Sequence, residues 1–318
     1  MASTTKIMTA AVALKYGNLS DVIEVSATAA GVEGSSMYLE CGEKITLENL
    51  LYGLMLLSGN DAAVAIAEHI GGGVDGFVEL MNKTASELGL SHTHFDNPNG
   101  LPSDTHYTTA LELAKITRYA MSMPEFVQIV STKSKTIPWE GKGYDRSMTN
   151  HNKLLGSLEG CIGVKTGFTK AAGRCLVSAV NRNDMTLICV TLNDKNDWQD
   201  HINMYDYGYS VLQPLELSTD EIFAVPVAGG TENTIPVRAE EQILIGDDGK
   251  TANRISSSII LPPFVYSDIK TGDKIGEIKY YYDGRYIDSI SLNAMKNTEY
   301  KDCLLYTSDA ADEARSVD

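Results

Sequence analysis

Met1-Ala2-Ser3-Thr4-Thr5-Lys6-Ile7-Met8-Thr9-Ala10 decides how this 318-residue chain is read. The run from Ile7 to Tyr16 is rich in helix formers and closes at Gly17, a residue suited to the position just past a helix end. Ser3 is therefore expected at or just inside the first turn of a helix. Residues three apart share a helix face, which sets Lys6 beside Ser3. A serine hydroxyl attacks a carbonyl only when a neighbouring base takes its proton. A lysine amine serves as that base if burial or a second cation lowers its pKa. Free backbone N–H groups at the helix start would face a developing oxyanion. Taken alone, Ser-x-x-Lys is a frequent pattern, and a serine at a helix start is more often an N-cap.

Two later stretches change that balance. Ser58-Gly59-Asn60 stands between the apolar segment Leu47–Leu57 and the helix start Asp61-Ala62-Ala63. A loop between two packed helices holds a hydroxyl and an amide over a cleft, although the same tripeptide makes an ordinary turn. Lys165-Thr166-Gly167 lies in a strand pattern between Val164 and Phe168. On a strand Lys165 and Gly167 share one face and Thr166 takes the other. Glycine there lets a substrate backbone come close, whereas the plain alternative is an exposed strand lysine. Ser-x-x-Lys, Ser-x-Asn and Lys-Thr-Gly, in that order, form the motif set of penicillin-binding proteins and serine β-lactamases.

The rest of the chain fits an α+β domain followed by a smaller all-β one. Helical periods are expected over Ser3–Tyr16, Leu47–Leu57, Asp61–Ile70, Val74–Leu88, Thr109–Met121, Pro124–Val130 and Trp198–Leu212. Strands are expected over Val164–Thr169, Cys175–Asn181 and Met185–Asn193, the last two joined at Arg182-Asn183-Asp184. Helices gathered on one side of an antiparallel sheet make a layered α+β domain over residues 1–213. Short strand-like runs with turn signals then read as an all-β domain over 217–297. Tyr280-Tyr281-Tyr282 reads there as strand packing. The acidic tail Lys301–Asp318 has the texture of neither domain.

Composition narrows the class without naming it. A net charge of −16 excludes a general binder of phosphate backbones. No run of about 18 apolar residues spans a membrane. Five cysteines (Cys41, Cys161, Cys175, Cys189, Cys303) form no Cys-x-x-Cys pair and no metal-ligand spacing with the six histidines, and read as small buried hydrophobes.

The chain resembles the serine-type D-alanyl-D-alanine carboxypeptidases, the low-molecular-mass penicillin-binding proteins. The likeness extends beyond the three motifs to Leu56-Leu57-Ser58-Gly59-Asn60-Asp61-Ala62-Ala63, His94-Phe95-Asp96-Asn97-Pro98-Asn99-Gly100-Leu101 and Gly163-Val164-Lys165-Thr166-Gly167-Phe168-Thr169. Thr271-Gly272-Asp273-Lys274-Ile275-Gly276 resembles the family's C-terminal β domain, so the likeness covers about residues 1–297. It implies a β-lactamase/transpeptidase-like fold, an antiparallel sheet flanked by helices, with a β-sandwich-like domain after it. It implies that Ser3 is acylated, Lys6 is its base and Ser58 relays a proton to the departing D-alanine. Asn60, Lys165, Thr166, Gly167 and Phe168 would bind substrate, with the oxyanion between the backbone N–H groups of Ser3 and Phe168.

The implied substrate is a peptidoglycan stem peptide ending in D-Ala-D-Ala, with β-lactams as covalent inhibitors, no metal or organic cofactor, and no nucleic-acid partner. The implied location is extracytoplasmic, with a membrane surface only if an anchor follows the chain. Family members carry a signal peptide and a strand before Ser-x-x-Lys, so the N-terminus is expected to be truncated. Certain relatives place an arginine where Asn150-His151-Asn152-Lys153 stands; His151 is not expected to contribute. A class A β-lactamase would need a deacylating glutamate, but Glu79-Leu80-Met81-Asn82 has the wrong spacing. A D,D-endopeptidase or a penicillin sensor without turnover would share the same motifs.

Overall fold

A computed structural model describes residues 1–139 and 141–301. The chain divides into two compact units, Met1–Ser210 and Val211–Asp318.

The first unit is built around α1 (Lys6–Tyr16), whose residues Lys6 to Ala13 are all buried. A helix apolar all round sits inside a fold rather than on its surface. The elements that follow include β1 (Val22–Glu24), α2 (Ala27–Ala30), β2 (Lys44–Thr46), α3 (Leu47–Leu56), α4 (Asn60–Gly71), α5 (Val74–Glu87), α6 (Ala110–Met121) and α7 (Pro124–Ser131). Five of them, α3, α4, α5, α6 and α7, pack directly on α1. α3 is buried almost as completely as α1, from Leu50 through Leu56. Its start is capped by Thr46, whose hydroxyl accepts from the Asn49 N–H at 3.3 Å.

The hairpin β3 (Ser134–Ile137) and β4 (Arg146–Thr149) and the short α8 (Leu154–Ser157) lead into β5 (Cys161–Thr169), β6 (Gly173–Arg182) and β7 (Met185–Leu192). These last three strands form an antiparallel sheet in that order. On β6 the side chains alternate between two environments. Val177 and Ala179 join the main core with Val164 of β5. Ser178, between them, bonds to His201 and Tyr205 of α9 (Asp197–Val211). Helices thus cover both faces of the sheet, which corrects the one-sided layering expected from the sequence. The α+β class itself stands, with an antiparallel sheet flanked by helices.

The second unit has a separate core of Val225, Ile235, Val237, Ile278, Ile290 and Leu292 among others. Its strands are β8 (Gln213–Leu217), β9 (Phe223–Ala228), β10 (Thr234–Ala239), β11 (Ile243–Asp247), β12 (Ile255–Ile260), β13 (Val265–Tyr266), β14 (Lys274–Tyr282) and β15 (Arg285–Ala294). Six make one sheet in the order β12-β14-β15-β10-β9-β13, and β8 pairs with β11. Tyr280 is buried in this core, as a packing residue should be. Of the cysteines, Cys175 is buried but Cys41 is exposed, against the expectation of uniform burial. Cys303 and the tail after Lys301 lie outside the described residues.

Candidate active site

Ser3 lies in a 3-10 turn, Ala2–Thr5, that runs straight into α1. The tighter turn replaces the first α-helical turn expected from the sequence. The Ser3 hydroxyl caps nothing at the start of α1. It lies instead 3.0 Å from Lys6 Nζ.

Lys6 is wholly buried and meets three oxygens: Ser3 Oγ, Asn60 Oδ1 at 2.8 Å and the Asn99 carbonyl at 2.6 Å. Burial pushes its pKa well below the usual lysine value, and the nearby Lys165 charge pushes it further, against a smaller opposing pull from Asp61. Burial is thus the main cause, ahead of the second cation. A neutral amine has two N–H donors and one lone pair. With the donors on Asn60 and Asn99, the lone pair faces Ser3 O–H, the arrangement needed to take its proton.

Asn60 is the first residue of α4, and its amide nitrogen donates to the Glu33 carbonyl at 2.6 Å, which turns Oδ1 toward Lys6. Asn99 belongs to the loop whose Gly100, at φ +86, passes so close to the nucleophile turn that a Cβ there would collide with the Ala2 carbonyl. His106 braces the same turn through Thr5 Oγ1 at 2.8 Å. Because its Nδ1 accepts from the Asp96 N–H at 3.0 Å, Nε2 carries the proton toward Thr5.

Ser58 joins α3 to α4 in the left-handed region, at φ +61, where a residue with a side chain is strained. It faces the same cleft as Ser3. Among the described residues Ser58 Oγ makes no hydrogen bond, so neither lysine is linked to it directly.

On β5, Lys165 is buried rather than exposed, and its Nζ donates to the Thr166 carbonyl at 3.0 Å. Burial lowers its pKa to about 7. Gly167 faces the nucleophile turn: a Cβ on it would stand 3.1 Å from both the Ser3 and Thr4 nitrogens. Phe168 is 65% exposed and borders the cleft beside Thr166 and Gly167. The structure therefore brings all eight expected site residues together.

The cleft holds about 330 Å³ and has walls the sequence did not single out, Ser35, Arg174, Asp197 and Trp198, together with His151. Arg174, opposite Phe168 in the β5–β6 register, grips the buried Asp197 at 2.6 and 3.1 Å. His151, expected to play no part, lines the cleft; partial burial and then the Lys165 charge hold its pKa below the ordinary histidine value. Asp61 was read only as a helix start. It is buried and pins the loop beside the cleft, accepting from Ser36 Oγ at 2.6 Å and from the Met37 and Leu39 N–H groups. Among the described residues no group of three or more His, Cys, Asp or Glu could hold a metal ion.

A serine set against a buried lysine of lowered pKa, with a Lys-Thr-Gly strand across the cleft, defines a class: penicillin-binding serine hydrolases that act through acyl transfer. Comparison with known proteins narrows the class to a family. Residues 1–196 match the D-alanyl-D-alanine carboxypeptidase family and residues 217–300 match the C-terminal domain of penicillin-binding protein 5. This chain belongs to the D-alanyl-D-alanine carboxypeptidase family, a family of hydrolases. It is 31% identical to the D-alanyl-D-alanine carboxypeptidase DacF of Bacillus subtilis over 89% of this chain and 75% of that one. It is 39% identical to a D-alanyl-D-alanine carboxypeptidase of a Streptomyces species over 66% of this chain and 78% of that one. Among solved structures, penicillin-binding protein 5 of Haemophilus influenzae matches with a TM-score of 0.66 at 28% identity, over 94% of this chain and 90% of that one.

Proposed function

We propose that the chain removes the terminal D-alanine from peptidoglycan stem peptides ending in D-Ala-D-Ala, through an acyl-enzyme on Ser3. The observation that carries this reading is the Ser3–Lys6 pair, with both amine donors of Lys6 already engaged. Lys6 takes the proton as Ser3 Oγ attacks the carbonyl carbon of the penultimate D-alanine. The oxyanion is held by the Ser3 and Phe168 N–H groups. Ser58 delivers a proton to the departing nitrogen as the C–N bond breaks. Asn60, Thr166, Gly167 and Phe168 align the peptide, and Lys165 attracts its terminal carboxylate. Water then hydrolyses the ester.

β-Lactams acylate the same serine in this reading, and the working location is extracytoplasmic. Among the described residues no helix is long and apolar enough to cross a membrane. The β-lactamase alternative needs a free carboxylate to activate the deacylating water. The acidic side chain that borders the cleft, Asp197, is instead tied to Arg174. The test is the intact mass after incubation with benzylpenicillin, alongside D-alanine release from diacetyl-L-Lys-D-Ala-D-Ala. An adduct mapping to Ser3 together with release is expected. An adduct without release would make the protein a sensor, and neither signal from folded protein would overturn the reading.

A further inference from the structure

Asp61 is the second residue of α4, next to Asn60, and only 1% of it is exposed. Burying a carboxylate is costly unless donors or a cation compensate it. Donors do so here. Oδ2 accepts from Ser36 Oγ at 2.6 Å and from the Leu39 N–H at 3.1 Å, and Oδ1 accepts from the Ala62 N–H at 2.9 Å. The Met37 N–H is shared between the two oxygens at 3.0 Å. Because each of these contacts is a donor, an amide in place of the carboxylate would turn an NH2 group against some of them.

The segment held by these bonds, residues 33–39, folds back on Asn60. The Glu33 carbonyl accepts from Asn60 Nδ2 at 2.6 Å, and the Ser35 carbonyl accepts from the Asn60 N–H at 2.7 Å. Gly34 stands between those two carbonyls at φ +98, and a Cβ on it would lie 2.5 Å from Asn60 Nδ2. Backbone and side chain of Asn60 are therefore both seated in one loop, and Asp61 shapes that loop. What Asn60 then offers is Oδ1, 2.8 Å from Lys6 Nζ.

Asp61 also reaches Lys6 through space. Burial does most to drive the proton off Lys6, the Lys165 charge from β5 adds to it, and the Asp61 charge from α4 opposes both. The groups bonded to the amine, Ser3, Asn60 and the Asn99 carbonyl, carry no charge.

We propose that Asp61 is a positioning residue for acyl transfer, which holds Asn60 against the Lys6 amine through the 33–39 loop and stands as counter-charge to that amine. The inference rests on the Ser3 acyl-enzyme reading above and adds to it a residue that touches neither substrate nor nucleophile.

The test is the pH profile of kcat/KM for diacetyl-L-Lys-D-Ala-D-Ala in the full chain and in Asp61→Asn, Ser36→Ala and Gly34→Ala. Asp61→Asn should lower kcat about ten- to a hundredfold, the scale on which misplaced groups slow a reaction. Its acid limb should move about one pH unit lower, because the charge that holds the proton on Lys6 is gone. Ser36→Ala loosens the loop but keeps that charge, and should lower kcat less, with the acid limb in place. Gly34→Ala presses on Asn60 from the other side and should lower kcat with a smaller shift of the limb. Gly34 is exposed, so its variant disturbs no core and decides the matter even where Asp61→Asn does not fold. An acid limb unmoved in folded Asp61→Asn would overturn the counter-charge, and wild-type kcat in Gly34→Ala would overturn the brace. A wild-type chain that neither releases D-alanine nor is acylated by benzylpenicillin would overturn the carboxypeptidase reading and this role with it.

Discussion

At the scale of single residues, the proposed mechanism asks opposite protonation states of two buried lysines. As the base Lys6 must give up its proton, and burial and then Lys165 push its pKa well below the usual lysine value. Lys165 attracts a carboxylate only while charged, and burial alone has brought its pKa to about 7. The expected kcat/KM profile is a bell whose alkaline limb falls near that value. Lys165→Gln should remove the alkaline limb, raise KM, and move the acid limb to slightly higher pH by lifting one of the two pressures on Lys6. An alkaline limb that persists in the variant would show that Lys165 does not carry it.

The same shift has a stability consequence. Lys165 in the unfolded chain binds its proton up to about 10.5, whereas the folded chain releases it near 7. Stability therefore rises with pH across that window, and at or below its lower edge the fold bears the cost of burying a cation. Lys165→Met should raise the Tm at neutral pH while abolishing peptide turnover. Glycine 167 supplies a second residue-scale prediction. A methyl at this position would crowd the Ser3 and Thr4 nitrogens at 3.1 Å. Gly167→Ala should slow acylation by benzylpenicillin at least about tenfold, the scale of losing well-aligned oxyanion donors, with the Tm nearly unchanged.

At the scale of elements, α9 is fastened to the sheet by a buried polar cluster. Ser178 Oγ meets His201 Nδ1 at 2.6 Å and Tyr205 OH at 2.7 Å, while His201 Nε2 meets Thr191 Oγ1 at 3.1 Å. Burial lowers the His201 pKa to about 4, outweighing the nearby Asp197 and Asp194 carboxylates. A histidine depressed in the fold stays neutral while the unfolded chain takes up a proton. Its contribution is thus complete above the unfolded value of 6.5 and is lost as pH falls from there to about 4. The loss is about 3 kcal/mol over that window. His201→Gln hydrogen-bonds but does not titrate, and should flatten that part of the stability curve in urea unfolding measured against pH.

This cluster also shows where the sequence stopped being legible. Ser3 with Lys6, Ser58 with Asn60, and Lys165 with Gly167 are each read within a few residues, so local periodicity places them. Among the described residues His201 has no hydrogen-bond partner nearer in the chain than Thr191, and Arg146 finds Glu43 across more than a hundred positions. Asp61 looks like any acidic residue in a first helical turn until its backbone partners at 37 and 39 are seen. Pairings made by tertiary packing leave no period or spacing to detect. Burial of Lys165 was hidden for the same reason, since one strand does not reveal what covers it.

At the scale of the whole molecule, the two units have separate cores and the chemistry belongs to one of them. Every wall of the catalytic cleft lies within the first unit, from Ser3 to Trp198. Two separate family models support the division, one matching residues 1–196 and the other residues 217–300. A fragment ending at Leu212, past the last residue of α9, should therefore fold cooperatively and be acylated by benzylpenicillin within about twofold of the full chain's rate. The measurement is acylation followed by intact mass, with near-ultraviolet dichroism of both proteins to establish packing. The size of the first core makes the outcome a sharp one. α1 from Lys6 to Ala13 and α3 from Leu50 to Leu56 are buried, and the elements packed on them belong to their own unit, so removing the β unit should leave that core covered. A folded fragment that reacts more than tenfold slower would mean that the β unit acts on the cleft, and the independence inferred from the separate cores would fail. Equal rates would leave the β unit a role other than chemistry.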